Sequence, residues 1–381
     1  MTLPLPRFLP FLLVLSVMGS MSSRAWIPGA ELENWAPAPW PSEHTEEGKA
    51  RSYQEGGRWM NPWMSGRASP IVFFYDWFIG GNDQSEIPSE AKLDETLPVR
   101  EPLWLNNSAF SPAAARMTWL GHATVLAEID GSTVLCDPVF SDRASMFQFA
   151  GPLRYRKPAC KVKELPKLTA VVVSHNHYDH LDKDSVRKLV QLQPNVSWFV
   201  PAGTKSWMTG HAGVPEDKVT ELSWWQEATM EGEGGTNLTF VLTPANHWCK
   251  RAINDDNTML WGSWAVLGPT KRFWFGGDTG YCEAFKQIGK EYGPFDIAAI
   301  PIGAYQPNYF MKYQHVHPGE AVQVHQDINS KKSLGIHWGT FKLTTEYYLE
   351  PPVLLTSFMT KAGLDPQAFV TTADIGGSVE G

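Results

Sequence analysis

Between Val171 and His180 the chain reads V-V-V-S-H-N-H-Y-D-H, which puts His175, His177, Asp179 and His180 within six residues. Imidazole and carboxylate at this density suit Zn²⁺, with other divalent metals compatible. Four donors this close cannot converge on one tetrahedral ion without strain. The spacing therefore favours two ions, with His175 and His177 on one and Asp179 and His180 on the other. The plain alternative is a polar surface turn. Three histidines so close repel one another once charged, however, unless a metal or the neutral form relieves them.

Three later stretches repeat a strand-then-donor pattern. Leu238 to Leu242 is apolar and β-prone, and T-P-A-N then delivers His247. Arg272 to Phe275 leads to G-G-D-T-G with Asp278 at its centre, and Ser333 to Ile336 leads to His337. Any one of these alone reads as a satisfied core residue; their recurrence in this order is what carries the signal. The glycines around Asp278 let backbone approach closely where a carboxylate bridges two ions. Two ions about 3.5–4 Å apart can share a hydroxide and polarise the bond being cut. Zinc brings its bound water to a pKa of about 7, so the set predicts hydrolysis at neutral pH without a separate base.

Donors need elements to position them. Val171 to Val173, with no polar alternation, reads as a strand covered on both faces. Open α/β sheets present ligands just beyond the carboxyl ends of such strands. Leu181, Val186, Leu189 and Val190 give the following stretch, Leu181 to Leu192, a helical face. Upstream, Met117 to Pro138 reads as a hairpin with Asp130-Gly131 as its turn. His122 sits in the Gly121–Thr124 bend, and Asp137 ends the second strand. Val196 to Val200 reads as a further strand, and Lys205 to Gly210 opens the next helix.

H-x-H-x-D-H after an apolar strand, followed by His247, Asp278 and His337, resembles the metallo-β-lactamase superfamily. The resemblance implies an α/β fold, the αββα sandwich of two β-sheets flanked by helices. It implies that His175, His177 and His247 hold one zinc, that Asp179, His180 and His337 hold a second, and that Asp278 bridges the two Zn²⁺. It also places Asp137 behind the ligand loops as their support. The segments W-L-G-H-A-T, C-D-P-V-F-S-D-R-A-S, G-P-x-R-Y-R, N-H-W-C-K-R, M-K-Y-Q-H-V and I-H-W-G-T-F resemble one branch more narrowly. That branch is the N-acylphosphatidylethanolamine-hydrolysing phospholipase D family, and the likeness runs from about Asn61 to the C-terminus. It implies cleavage of N-acylphosphatidylethanolamine to N-acylethanolamine and phosphatidic acid at a membrane surface, by a homodimer. Asp278 and His315 are the catalytic candidates, His315 falling where the family has a further active-site histidine. His122, Lys250, Arg251 and Lys312 are candidates for support or for substrate contact, the cations as partners of lipid phosphate. Trp119, Trp224, Trp225, Trp248 and Trp338 either line an acyl cavity or fill the core. The chain departs from the pattern at His317, where Asp or Asn would cap the helix opened by Pro318 and Glu320.

Composition narrows the class. The chain has 381 residues, 43% of them hydrophobic, and a formal net charge of -8, which disfavours nucleic acid as a partner. Four cysteines without a CxxC pair make no disulfide scaffold. Residues 1–25 are laid out like a secretory signal, Arg7 preceding the apolar run Phe8 to Met18, with Ser23-Arg24-Ala25 as a cleavage site. Sequons at Asn106, Asn195 and Asn237 agree with a lumenal or extracellular route; without cleavage of a signal, the expected place is the cytoplasmic face of internal membranes. Residues 26–110 hold seven of the seventeen tryptophans and read as a membrane-facing arm, whose apolar run Ile71 to Ile79 either packs on the main domain or enters a membrane interface. Residues 111–381 are the hydrolase domain. Competing readings are a soluble metallo-hydrolase acting on a lactone or small phosphodiester, and a non-catalytic lipid- or metal-binding relative.

Overall fold

Two seven-stranded sheets lie face to face in the computed structural model, which describes residues 45–46, 48–63, 85–106, 114–372 and 374–381. The signal-like segment 1–25 and the apolar run 71–79 lie outside the described residues. The strands of the sandwich are β1 (Arg116–Gly121), β2 (Thr124–Ile129), β3 (Ser132–Cys136), β4 (Ala170–Val172), β5 (Ser197–Pro201) and β6 (Val219–Leu222). There follow β7 (Glu227–Glu231), β8 (Asn237–Thr243), β9 (Ser263–Leu267), β10 (Arg272–Phe275), β11 (Phe295–Pro301), β12 (Ser330–Ile336), β13 (Phe369–Val370) and β14 (Ser378–Glu380). The first sheet runs β6-β5-β4-β3-β2-β1-β14 and the second β7-β8-β9-β10-β11-β12-β13.

Both sheets are mixed in the same manner. Each begins as an antiparallel meander, β1-β2-β3 or β7-β8-β9-β10, and continues in parallel through β4-β5-β6 or β11-β12-β13. Parallel steps need crossovers, and four helices flank them: α1 (Lys183–Leu192), α2 (Ala284–Tyr292), α3 (Pro318–Asp327) and α4 (Glu350–Lys361). Strands covered on both faces show no alternation, and β4 and β11 are buried at every residue. The edge strand β7, E-A-T-M-E, alternates exposed and half-buried positions instead.

The expected turn is present, with Asp130 and Gly131 at φ 47° and 77°, both left-handed as a two-residue hairpin between β2 and β3 requires. Val186 and Leu189 of α1 are buried, as is Leu181 just before it, and Asp182 caps the helix through the Asp184 amide at 3.1 Å. The sheets meet through a Phe199–Phe240 stack at 3.9 Å between ring centroids and through the Trp264 indole, which donates to the Val173 carbonyl at 2.8 Å.

The described parts of the arm pack on this sandwich. Ala50, Trp63 and Leu97 belong to its core, and Trp63 stacks on Trp224 at 5.5 Å. Ser89 caps a short helix, Glu90–Thr96, which buries Leu93. Among the described residues no helix is long and apolar enough to cross a membrane.

Candidate metal centre

The ends of β4 in one sheet and of β8, β10 and β12 in the other deliver seven donors to one place, and the ends of β1 and β3 bring His122 and Asp137 against them. His175 Nε2 and His177 Nδ1 approach to 2.8 Å, and His247 Nε2 stands 3.2 Å from the same Nδ1. A second group holds His122, Asp179, His180 and His337, with candidate ligand atoms all within 4.8 Å of one another. Asp278 lies between the groups: its carboxylate is 3.0 Å from His180 Nε2 and 3.0 Å from His337 Nε2, and 3.8 Å from both His175 Nε2 and His247 Nε2. The structure thus brings together all seven residues singled out in the sequence.

Three of the imidazoles are held in one tautomer by what lies behind them. The His180 Nδ1–H donates to Asp137 Oδ2 at 2.6 Å, and that of His247 to the Gln314 carbonyl at 2.9 Å. His175 Nδ1 donates to Ser174 Oγ at 2.9 Å, because that hydroxyl spends its own proton on Asp137 Oδ2 at 2.5 Å. In its neutral form each ring turns an Nε2 lone pair inward; at His180 burial works against charge, but the Asp278 and Asp179 carboxylates outweigh it and hold the ring well above its ordinary value. Neutral imidazoles backed in this way are what a bound cation requires. Burial, with the neighbouring imidazoles, holds His175 well below its ordinary value, and burial takes His177 to about 3 and His247 to about 4. At His337 burial also works against charge, but Asp278 and Asp179 outweigh it and raise the ring to about 9. The paired carboxylates at the centre call for positive charge. His177 Nε2 and His337 Nδ1 are buried without hydrogen-bond partners, and His180 Nε2, His337 Nε2 and Asp278 Oδ1 have none beyond the 3.0 Å contacts within the cluster. Such orphans are rare away from ligand sites, so the donor set fits a metal cluster.

The chain is strained where it delivers these groups. His122, Asp137 and His337 sit at φ 52°, 40° and 64°, a region that non-glycine residues adopt at a cost. Gly277 at φ 57° meets Ser174, and an added Cβ would lie 2.5 Å from that side chain. At Gly280 a Cβ would lie 2.6 Å from the Lys312 carbonyl. That close approach sets the Lys312–His315 segment against Asp278, and His315 Nδ1 stands 3.9 Å from the Asp278 carboxylate. His315 is buried and held well below its ordinary value by that burial. Asp137 accepts from His180 and from both the amide (2.7 Å) and hydroxyl of Ser174. His122 Nε2 bonds Asp179 Oδ2 at 2.9 Å and so orients a donor of the second group.

The cations expected near lipid phosphate are engaged otherwise. The Arg251 guanidinium is bonded to the Asn176 and Leu181 carbonyls at 2.8 and 2.6 Å, between the rings of Tyr178 and Trp207. In these contacts it braces the ligand loop. Lys250 pairs with Asp256 at 2.8 Å, and Lys312 lies over the Tyr313 ring. Among the five tryptophans, Trp119, Trp224 and Trp338 are buried in the core. Trp225 is bonded to the Ala50 carbonyl. Trp248 lies edge-on to the His177 ring at 4.7 Å. His317 caps α3, its Nδ1 accepting from the Gly319 amide at 3.1 Å while Glu320 accepts from the His317 amide at 2.9 Å.

Sequence reasoning passed over Ser174, Gln314 and Asn61. Asn61 reaches from the arm to the Asn246 side chain at 2.7 Å and the His247 carbonyl at 2.8 Å. The serine before the first histidine was the one local signal available. Asn61 offers none, since 185 residues separate it from Asn246.

Residues 132–338 match the model of the β-lactamase superfamily domain. The chain is 48% identical over 292 residues to the N-acyl-phosphatidylethanolamine-hydrolyzing phospholipase D 1 of Caenorhabditis elegans, covering 75% of this chain and 81% of that one. It is 34% identical over 273 residues to the mitochondrial enzyme of the same description from Saccharomyces cerevisiae, covering 71% of this chain and 56% of that one. Among solved structures, a metallo hydrolase of the archaeon Ignicoccus hospitalis is similar in fold with a TM-score of 0.51 at 17% identity, covering 71% of this chain and 99% of that one.

Proposed function

The chain belongs to the metallo-β-lactamase superfamily, in the family of the N-acylphosphatidylethanolamine-hydrolysing phospholipases D, and from that premise we propose that it is a dizinc phosphodiesterase. Its substrate is N-acylphosphatidylethanolamine in a membrane surface, and its products are N-acylethanolamine and phosphatidic acid. The single observation that supports this most is the meeting of two donor groups at one carboxylate, Asp278, which lies within 3.8 Å of imidazole nitrogens from both. His175, His177 and His247 would hold one ion and Asp179, His180 and His337 the other, with Asp278 shared. When bound, such a pair supplies a hydroxide nucleophile at neutral pH and neutralises charge gathering on phosphoryl oxygens.

The protein's own groups do the rest. Asp137 and Ser174 fix the tautomers of His180 and His175, the Gln314 carbonyl fixes His247, and His122 orients Asp179. Among the described residues, His175, His180, His247 and Asp278 are buried, whereas His177, Tyr178 and Asp179 are half-buried. His315 is the nearest titratable group to Asp278 outside the seven. Kept neutral by burial, it carries a proton on one ring nitrogen and offers it as a hydrogen bond to the leaving oxygen. The same reading takes a homodimer as the assembly and a membrane-associated location, in the secretory pathway where the N-terminal segment acts as a signal.

Reaction in heavy-oxygen water followed by mass spectrometry tests which bond breaks. Attack at phosphorus leaves the solvent oxygen on phosphatidic acid. Label on a free fatty acid would mean acyl hydrolysis and would overturn the proposal. Elemental analysis of the desalted protein should give two zinc ions per chain.

A further inference from the structure

Residues 144–153, A-S-M-F-Q-F-A-G-P-L, carry no charge. From Met146 to Leu153 every residue is exposed, Phe149 at 81% and Met146, Phe147 and Leu153 above half. Single exposed apolar side chains are ordinary, whereas a contiguous group marks an interaction surface. Ile253, exposed at 87%, stands on a second loop. The two loops wall one cavity of about 470 Å³, with Ser145, Met146 and Gln148 on one side, Arg251 and Ala252 on the other, and Tyr178 between them. Tyr178 separates His177 from Asp179, so the ligand loop contributes one residue to a cavity that Met146 reaches and that Asp182, Asp184 and Asp255 also line.

The first loop ties several of its polar groups to one another and leaves its rings in solvent. Gln148 accepts from the Arg143 amide at 3.1 Å and donates to the Arg143 carbonyl at 3.1 Å. The Arg143 guanidinium is bonded to the Gly151 carbonyl. The Ala144 amide bonds the Pro152 carbonyl at 3.1 Å, and the Arg154 amide that of Asp142 at 2.8 Å. Phe147 and Phe149 stack on each other outside this framework at 5.2 Å. In the second loop the Arg251 and Ala252 amides are tied to Asp255, which leaves Ile253 at the tip. Each backbone group tied off within a loop lowers the cost of entering an apolar interface.

We propose that Met146, Phe147, Phe149, Leu153 and Ile253 form the surface by which this chain docks on a phospholipid bilayer, entering the headgroup region and setting the ligand loop over the lipid. The inference rests on the phosphodiesterase reading, since a bilayer lipid must then reach this site. It moves the docking role from residues 71–79 to two loops of the hydrolase domain. A bilayer fits better than a second protein surface: two separate tips offer neither a strand edge nor a continuous groove, whereas paired aromatic rings and an aliphatic tip suit the interfacial zone.

All four native cysteines are buried, so Phe149→Cys introduces the one accessible thiol for a polarity-sensitive nitrobenzoxadiazole label. With vesicles of equal parts phosphatidylcholine and phosphatidylethanolamine, the label at 149 should brighten and shift to the blue. The same label on Leu192→Cys, at the far end of α1, should not respond. The triple variant Phe147→Ser, Phe149→Ser, Ile253→Ser should float with vesicles about tenfold or more weaker than the wild type, with an unchanged thermal midpoint. The proposal is overturned if the protein floats while the label at 149 stays in water, which would put docking elsewhere. It is equally overturned if the label responds to protein concentration without vesicles, which would make the tips a contact between copies. Neither result bears on the oxygen-label test, and label on a fatty acid would sink the phosphodiesterase reading whatever position 149 does.

Discussion

Replacing Arg251 with alanine should loosen the ligand loop and with it the hold on metal. One guanidinium nitrogen donates to the carbonyls of Asn176 and Leu181 at 2.8 and 2.6 Å. These residues bracket His177, Asp179 and His180, so a single side chain pins both ends of the segment. The Tyr178 hydroxyl returns a bond to the Arg251 carbonyl at 2.8 Å, and the guanidinium lies 4.1 Å from the Tyr178 ring centroid and 4.6 Å from that of Trp207. Burial lowers the group to about 10, so it remains charged at neutral pH. A hydrogen bond from a charged group contributes about 1.5–3 kcal/mol, and ring stacking about 1 kcal/mol more. Because one nitrogen serves both acceptors and the residue is half-buried, the low end applies, about 3 kcal/mol. If that whole loss falls on loop order, metal retention drops about 100-fold. Arg251→Lys keeps the charge but not the planar fork, and should recover about half of the free energy. The assays are the rate of zinc loss to a chelator and hydrogen exchange of the amides from 176 to 181. Should Arg251→Ala keep both at wild-type level while raising only the KM for vesicle substrate, the guanidinium serves lipid phosphate and the bracing argument fails.

Two further outcomes follow from the same geometry. Asp137→Asn leaves the His180 Nδ1–H and the Ser174 hydroxyl without their carboxylate acceptor; zinc affinity should fall about 10- to 100-fold in a chelator competition, with the fold intact, and an unchanged affinity would remove Asp137 from the support of the site. Glu320, raised to about 7 by burial, holds its proton more tightly in the folded chain than in the unfolded one. Its stabilising contribution is therefore complete below about pH 4 and is lost as the pH rises through about 7. Glu320→Gln keeps an oxygen for the His317 amide and removes the titration. The metal-free variant should match the metal-free wild type near pH 4 and exceed it by about 2–3 kcal/mol above pH 8, read from denaturant midpoints. A difference that does not change with pH would show that Glu320 is not the group responsible.

The site was legible where one chemical feature sufficed to mark it. An apolar strand followed by imidazole or carboxylate recurs at His175, His247, Asp278 and His337, because a strand buried on both faces can offer polar groups only at its end. What the sequence hid were partnerships made in space. Arg251 follows Lys250 and looks like half of a cationic pair, yet its role is decided by Trp207 and Tyr178, which close over it from two other segments. Asn61 lies in a stretch without periodicity, and only the packing of the arm carries it to His247. His317 departs from the Asp or Asn expected at a helix start, yet it caps. Its Nδ1 occupies the same δ position as the side-chain oxygen of Asn, and a neutral ring leaves that nitrogen free to accept. The exposed loop from 146 to 153 carries no mark of its own, since apolar residues in a sequence look like core until their direction is known.

The two sheets also share a constraint that no single motif reveals. His122 ends β1 in one sheet and His337 follows β12 in the other, both in left-handed backbone. The His337 amide donates to the His122 carbonyl at 3.0 Å, and the Trp119 indole donates to that same carbonyl at 2.7 Å. The His122 amide in turn donates to Thr340 Oγ1 at 2.7 Å. A left-handed residue costs about 1–2 kcal/mol, and each of these turns is held by bonds that the other provides. The strain of one is thus tolerable only when the second is formed. That interlock joins the second donor group across the sandwich, so His337 cannot take its place until both sheets are docked.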